Sequence, residues 1–205
     1  MEGKITKAFS LKAANWMNRY AHKSGLELTK MELGMEIFLI NVIKLIIMYS
    51  LAIALGILLL TFSTHMAFVI VKRYSFGLHA ANSTICTIVS CCMFVVFPCL
   101  LAGTKIGNFV VLLIFAGVIF ALFLFAPADT KARPLIGATN RRHLRRKSVI
   151  SGLAVLAIAL LIPNETIKLM IAMGAVYQSI TVLPVTYKIL GRSVQNYEKY
   201  ETDQC

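Results

Sequence analysis

The chain predicts an all-α fold: a polytopic membrane bundle of about six transmembrane helices, preceded by an amphipathic helix lying in the membrane interface. Three observations carry this reading. Of the 205 residues, 58% are hydrophobic and the mean hydropathy is +0.76, more apolar surface than one soluble core of this size hides. That surface is gathered into long apolar runs, on the scale of the roughly 20 residues a helix needs to cross a ~30 Å hydrocarbon layer. Nearly all of the 21 Lys and Arg lie between those runs or near the chain ends.

Taken in order, residues 1–35 form an interfacial arm. Its start, MEGKITKAFSLKAANW, is charged and lacks a short apolar core followed by a small-residue cleavage site, so no cleaved signal peptide is expected. Ile5, Phe9, Ala13, Trp16 and Tyr20 recur at three- and four-residue spacing, with Lys4, Lys7, Lys12 and Arg19 between them. This is the pattern of an amphipathic helix that anchors on lipid or offers a docking surface, and Ser24-Gly25 ends it. The transmembrane bundle occupies 36–190. Glu36 to Lys72 is too long for one crossing, and a turn near Ala54-Leu55-Gly56 divides it into spans of about 36–53 and 55–71. Further spans are expected at about 84–102, 106–126, 148–162 and 166–190, the last kinked at Pro184, before a polar tail, 191–205. Within the first two spans, Lys44 can snorkel to the interface and His65, beside Ser63 and Thr64, reads as a polar packing residue.

Charge sets the orientation. With six spans, the arm, Lys72 and Arg73, the loop Lys131 to Lys147 and the tail share one face, leaving only Lys105 and Lys168 on the other. The positive-inside rule makes the first face cytoplasmic, and with it both termini and the loop around His79 and Cys86. A single crossing in 36–72 would separate the arm from the other basic segments. The net charge of +12 sits beside membrane spans, so it points to lipid headgroups as partners and not to nucleic acid.

The chemistry is concentrated in Lys72-Arg73-Tyr74-Ser75-Phe76-Gly77-Leu78-His79-Ala80-Ala81-Asn82-Ser83-Thr84-Ile85-Cys86, an imidazole and a thiol seven residues apart at the mouth of an apolar run. A thiol attacks as its thiolate, and a neighbouring histidine can take its proton or stabilise the anion. On one continuous helix the two would stand about 10 Å apart along the axis, so the chain must turn between them. Asn82 and Ser83 are good N-cap residues, starting a helix near Thr84 with Cys86 in its first turn, where backbone amides and the helix dipole favour an anion. Gly77 permits the turn that brings His79 back. Ser75, Asn82 and Asp129 are candidates for a polar group orienting the imidazole, and the sequence does not choose among them. Cys91, Cys92 and Cys99, deeper in the same run, read as packing residues, and Cys205 as incidental. A metal site from His79 and these cysteines matches no zinc spacing and would be costly against lipid. No metal, organic cofactor or disulfide is therefore expected.

RYSFGLHAANSTIC, with its Arg, Ser-Phe-Gly, His and a Cys seven after the His, resembles the signature of the AgrB (accessory gene regulator B) family of bacterial membrane cysteine endopeptidases. The basic N-terminus, the hydrophobic segments, PADTKARPLIG and RRHLRRKS extend the likeness over most of the chain. The resemblance implies that His79 is the catalytic histidine and Cys86 the nucleophile, with Arg73 and Gly77 in support. It implies an AgrD-type propeptide substrate, cleaved at its C-terminal segment and cyclised to a thiolactone or lactone quorum-sensing peptide. It further implies the bacterial plasma membrane as the location and a homodimer as the assembly.

In chemical terms, the Cys86 sulfur would attack a propeptide carbonyl and form an acyl thioester, which a thiol of the substrate resolves by ring closure. Arg141, Arg142, Arg145, Arg146 and Lys147 fix topology on lipid and are candidates for holding an acidic segment of the propeptide. Pro127 and Pro134 keep their loop distinct from the preceding helix. The competing reading is a small multi-pass transporter or export component for a peptide or ion. It calls for paired intramembrane charges or broken helices in related halves, and only Lys44, His65 and Pro184 are available.

Overall fold

A computed structural model describes residues 2–78, 83–130, 134–193 and 196–198. Among these the protein is helical, with one isolated bridge and no strand. The chain divides into two compact units, 1–51 and 52–205. Three helical stretches, Leu26–Ala54, Ser83–Leu100 and Asn108–Phe125, are long and apolar enough to cross a membrane.

The first unit holds α1 (Glu2–Ala21) and most of α2 (Leu26–Ala54). Past Ala21 the chain turns through His22 and Gly25, both at positive φ. Asn18 secures the turn: its Oδ1 accepts the Lys23 N–H at 2.7 Å and its Nδ2 donates to the Lys23 carbonyl at 2.9 Å. The side-chain amide thus pairs both backbone groups of Lys23, just past the helix end. α2 begins at Leu26, well before the apolar region, because its polar first turns are good helix formers pinned by Lys23–Glu27 (2.9 Å) and Lys30–Glu27 (3.9 Å) pairs. The break foreseen near Ala54-Leu55-Gly56 is present, with Gly56 at φ +68°.

The second unit is organised around α3 (Leu58–Ser75) and α8 (Glu165–Val182). These helices approach so closely at Gly174 that a Cβ there would stand 2.2 Å from the Thr64 carbonyl oxygen and 2.9 Å from the Ala67 Cβ. The absence of a side chain at Gly174 is what allows the two backbones to come so near. α6 (Asn108–Phe125) and α7 (Ala138–Leu161) pack beside them over a core that includes Val71, Phe115, Leu122, Val155 and Ala172. Asn164 caps α8, its side chain accepting the Ile167 N–H at 3.0 Å, and the buried Lys168 donates to Asn108 Oδ1 at the start of α6.

Ser83–Leu100 is one helical run of α4 (Ser83–Cys91), a π turn (Cys92–Val96) and α5 (Phe97–Leu100). Pro98 accounts for the π turn. Proline has no N–H, and in an α ladder its ring would strike the carbonyl four residues back. Widening the turn lets the Phe97 N–H bond to the Cys92 carbonyl instead.

Two expectations change. Arg141 to Lys147 are not a loop but the first turns of α7, which starts at Ala138 after Gly137 at φ +94°; Arg, Leu and Lys favour helix whatever their charge. The last apolar segment is not one kinked helix either. α8 stops at Val182, Leu183 is extended (ψ 134°), and α9 (Pro184–Ile189) starts afresh, because a residue before proline is driven out of the α region.

Candidate active site

The chain leaves α3 through Phe76 and Gly77, at φ +55° and +99°. Only glycine fits at 77: a Cβ would lie 2.6 Å from Thr181 Oγ1 and 2.9 Å from the Thr181 carbonyl oxygen. Phe76 then forms a parallel bridge with Ala128. The Gly77 N–H donates to the Ala128 carbonyl at 3.0 Å, the Ala128 N–H to the Ser75 carbonyl at 3.0 Å, and the Leu78 N–H to the Thr181 carbonyl at 3.1 Å. From α8 the fully buried Gln178 donates through Nε2 to Ser75 Oγ (2.7 Å) and to the Phe76 carbonyl (2.6 Å), while Ser75 Oγ donates to the Val71 carbonyl at 2.9 Å. Away from water such bonds are not exchanged for solvent.

His79 and Asn82 lie outside the described residues. Leu78 is the last described residue before them, and the exposed Ser83 opens α4. Cys86 is half-buried in the first turn of α4. Its carbonyl accepts from Ser90 Oγ at 2.8 Å, and that of Ser83 from Thr87 Oγ1 at 3.0 Å. Cys91 and Cys92 are half-buried and Cys99 is exposed. Among the described residues, no group of three or more His, Cys, Asp or Glu is arranged to hold a metal ion. His65 packs edge-on against Phe94 of the π turn (5.0 Å between ring centres), which also meets Phe68 at 5.2 Å and Tyr177 at 6.2 Å.

Helical spacing sorts the basic residues onto different faces of α7. Arg141 and Arg145, one turn apart, line a cavity of about 460 Å³ with Asp129, Tyr187 and Tyr197. Arg145 Nε donates to the Ala126 carbonyl at 2.9 Å, and Arg141 donates to the Leu135 carbonyl at 3.0 Å while stacking 3.7 Å from the Tyr197 ring. Arg142 and Arg146 border a mostly apolar groove of about 400 Å³ with Phe123, Val149 and Ile150, and Arg145 borders this groove as well as the cavity. Lys147 reaches the Tyr74 ring at 5.6 Å, the same ring that Arg73 meets at 5.9 Å.

The candidate orienting groups have distinct surroundings. Ser75 is bonded to Val71 and Gln178, as above. Asp129 is buried; its carboxylate accepts the Tyr197 N–H at 2.9 Å and Asn196 Nδ2 at 3.4 Å, and its carbonyl accepts the Tyr187 hydroxyl at 2.8 Å. Sequence reasoning missed Gln178, Thr181 and Ala128. An available signal was Gln178 itself, an amide in the apolar part of a helix, since a buried polar group needs hydrogen-bond partners.

The sequence model described as "Accessory gene regulator B" matches residues 10–182. An AgrB-like protein of Listeria innocua is 45% identical over 172 residues, 84% of this chain and 84% of its own length. One from Clostridium acetobutylicum is 39% identical over 198 residues, covering 97% and 93%. Accessory gene regulator protein B of Staphylococcus epidermidis is 31% identical over 177 residues, covering 85% and 89%. No solved structure matches.

Proposed function

The chain belongs to the accessory gene regulator B family, a membrane protein of the agr quorum-sensing system, and on that premise we propose that it is a cysteine endopeptidase that cleaves and cyclises an AgrD-type propeptide. What carries the reading is the position of Cys86 in the first turn of a membrane-length apolar run, with the chain turned sharply at Phe76 and Gly77 just before His79.

In this reading His79 takes the Cys86 proton, and the sulfur attacks the carbonyl at the cleavage point. Backbone N–H groups at the start of α4 hold the oxyanion. The C–N bond then breaks, His79 returns its proton to the departing amine, and an acyl thioester remains on Cys86. A thiol of the bound substrate attacks that thioester, closing the ring and restoring the enzyme thiol. A site at the membrane boundary, poor in water and with the substrate thiol held nearby, favours closure over hydrolysis. Arg141 and Arg145 hold an acidic group of the released segment in their cavity, while Arg142, Arg146 and Lys147 meet headgroups. Arg73, Gly77 and Ser83 shape the two ends of the catalytic segment. In the same reading six spans cross the membrane, both termini and the loop between His79 and Cys86 are cytoplasmic, residues 1–35 form an interfacial arm, 191–205 a tail, and a second copy of the chain is a partner.

The test is reconstitution in liposomes with an AgrD-type propeptide, with cleavage followed by mass spectrometry. Cys86→Ala and His79→Ala are each expected to slow cleavage by about a thousandfold or more. Normal cutting by both variants would refute the proposal.

A further inference from the structure

We propose that Gln178 is a positioning residue for this cleavage: it fixes the backbone at Ser75 and Phe76, which leads in sequence to His79, and the inference rests on the function proposed above. The amide is fully buried in α8 and spends its two N–H donors on one short stretch of chain, Ser75 Oγ at 2.7 Å and the Phe76 carbonyl at 2.6 Å. Both bonds reach across more than a hundred residues of sequence. They join α8 to the place where α3 ends and the chain enters left-handed geometry.

The orientation of the amide follows from its partners. Ser75 Oγ gives its own proton to the Val71 carbonyl, so it accepts from Gln178, and the Phe76 carbonyl is an acceptor only. The NH₂ end must therefore face the segment. That choice leaves Gln178 Oε1 buried with no hydrogen-bond partner among the described residues. A buried, unpaired carbonyl is unfavourable, and an apolar side chain of the same length would fill the space without it. The amide is retained at a penalty, which is the mark of a group kept for position.

The position it controls is close to the chemistry. Beyond Phe76, Gly77 and Leu78 are held by Ala128 and Thr181, and His79 is the next residue in sequence. Thr181 lies on the same helix as Gln178, so a single rigid element grips the segment at Ser75–Phe76 and again at Leu78. Without Gln178, the Phe76 carbonyl loses a hydrogen bond from α8 while the residue holds a conformation that non-glycine residues rarely adopt. The segment can then relax, and an imidazole displaced by an ångström transfers protons poorly.

The test compares wild type, Gln178→Met, Ser75→Ala, the double variant and His79→Ala in liposomes. Single-turnover cleavage, propeptide binding and the rate of Cys86 alkylation by iodoacetamide at pH 7 are read for each. Methionine preserves length and volume, so Gln178→Met is expected to fold. It should slow cleavage at least about tenfold with unchanged propeptide binding, and slow alkylation towards the His79→Ala rate. Ser75→Ala should give a smaller loss in the same direction, and the double variant no more than Gln178→Met alone, because both act through one bond. Wild-type cleavage and alkylation rates in Gln178→Met would overturn the inference. If that variant fails to fold, wild-type rates in Ser75→Ala overturn it instead. Failure of the function is distinguishable: His79→Ala would then cleave and alkylate like wild type, whatever Gln178 does.

Discussion

The two ends of the His79–Cys86 segment are held in opposite ways. On the histidine side the end of α3 is bonded to α8 and to the stretch around Ala128, with Ser75, Gly77 and Leu78 all buried. On the cysteine side none of the nine residues of α4 is buried, and firm packing begins only at Phe94 in the π turn. Under the proposed function the difference meets two demands at once: a general base needs a fixed address, while a nucleophile that must reach a substrate, carry an acyl group and release it benefits from a helix that can shift.

Substitutions can break or sharpen this contrast. The largest effect is expected at the foundation of the fixed side. Gly174→Ala inserts a methyl 2.2 Å from the Thr64 carbonyl oxygen, forcing α3 and α8 apart. It should cost about 3 kcal/mol or more of stability, seen as a fall in the thermal midpoint of the purified protein. A wild-type midpoint would show that the seam is not the foundation. Next comes Gly77→Ala, which adds strain at φ +99° and a contact with Thr181. The expected loss is about 1–3 kcal/mol, with cleavage falling more than folding does, measured by comparing turnover with the folded fraction. Cleavage that merely tracks the folded fraction would count against a special role for this turn. The smallest change belongs to the loose side. Ile88→Ala, on the exposed surface of α4, should move stability by no more than about 0.5 kcal/mol. A large loss there, read by the same thermal midpoint, would mean that α4 is packed and the contrast false.

Much of this was legible in the residues. The apolar runs located the helices, Gly56 the first break, and the spacing from Gly77 to Cys86 the candidate site with its thiol in a first turn. What stayed hidden depends on partners far away in sequence. The Phe76–Ala128 bridge has no periodicity to reveal it, being a single pair. Gln178 is one amide in an apolar helix, and its meaning comes from Ser75 and Phe76. The start of α7 is hidden by its charge, which suggests a loop although Arg and Lys extend helices readily. Pro184 was seen but underestimated, and Pro98 passed unweighed inside a hydrophobic stretch where composition dominates the eye.

Pro98 has a geometrical consequence. A π turn is in effect one residue inserted into an α-helix, and each residue of an α-helix turns through about 100°. Looking back from α5, everything upstream of Cys92 is therefore rotated by about a quarter-circle from where an uninterrupted screw would put it. The thiol of Cys86 lies upstream. The compass bearing of that sulfur is thus dialled by an imino acid some three turns further along the thread.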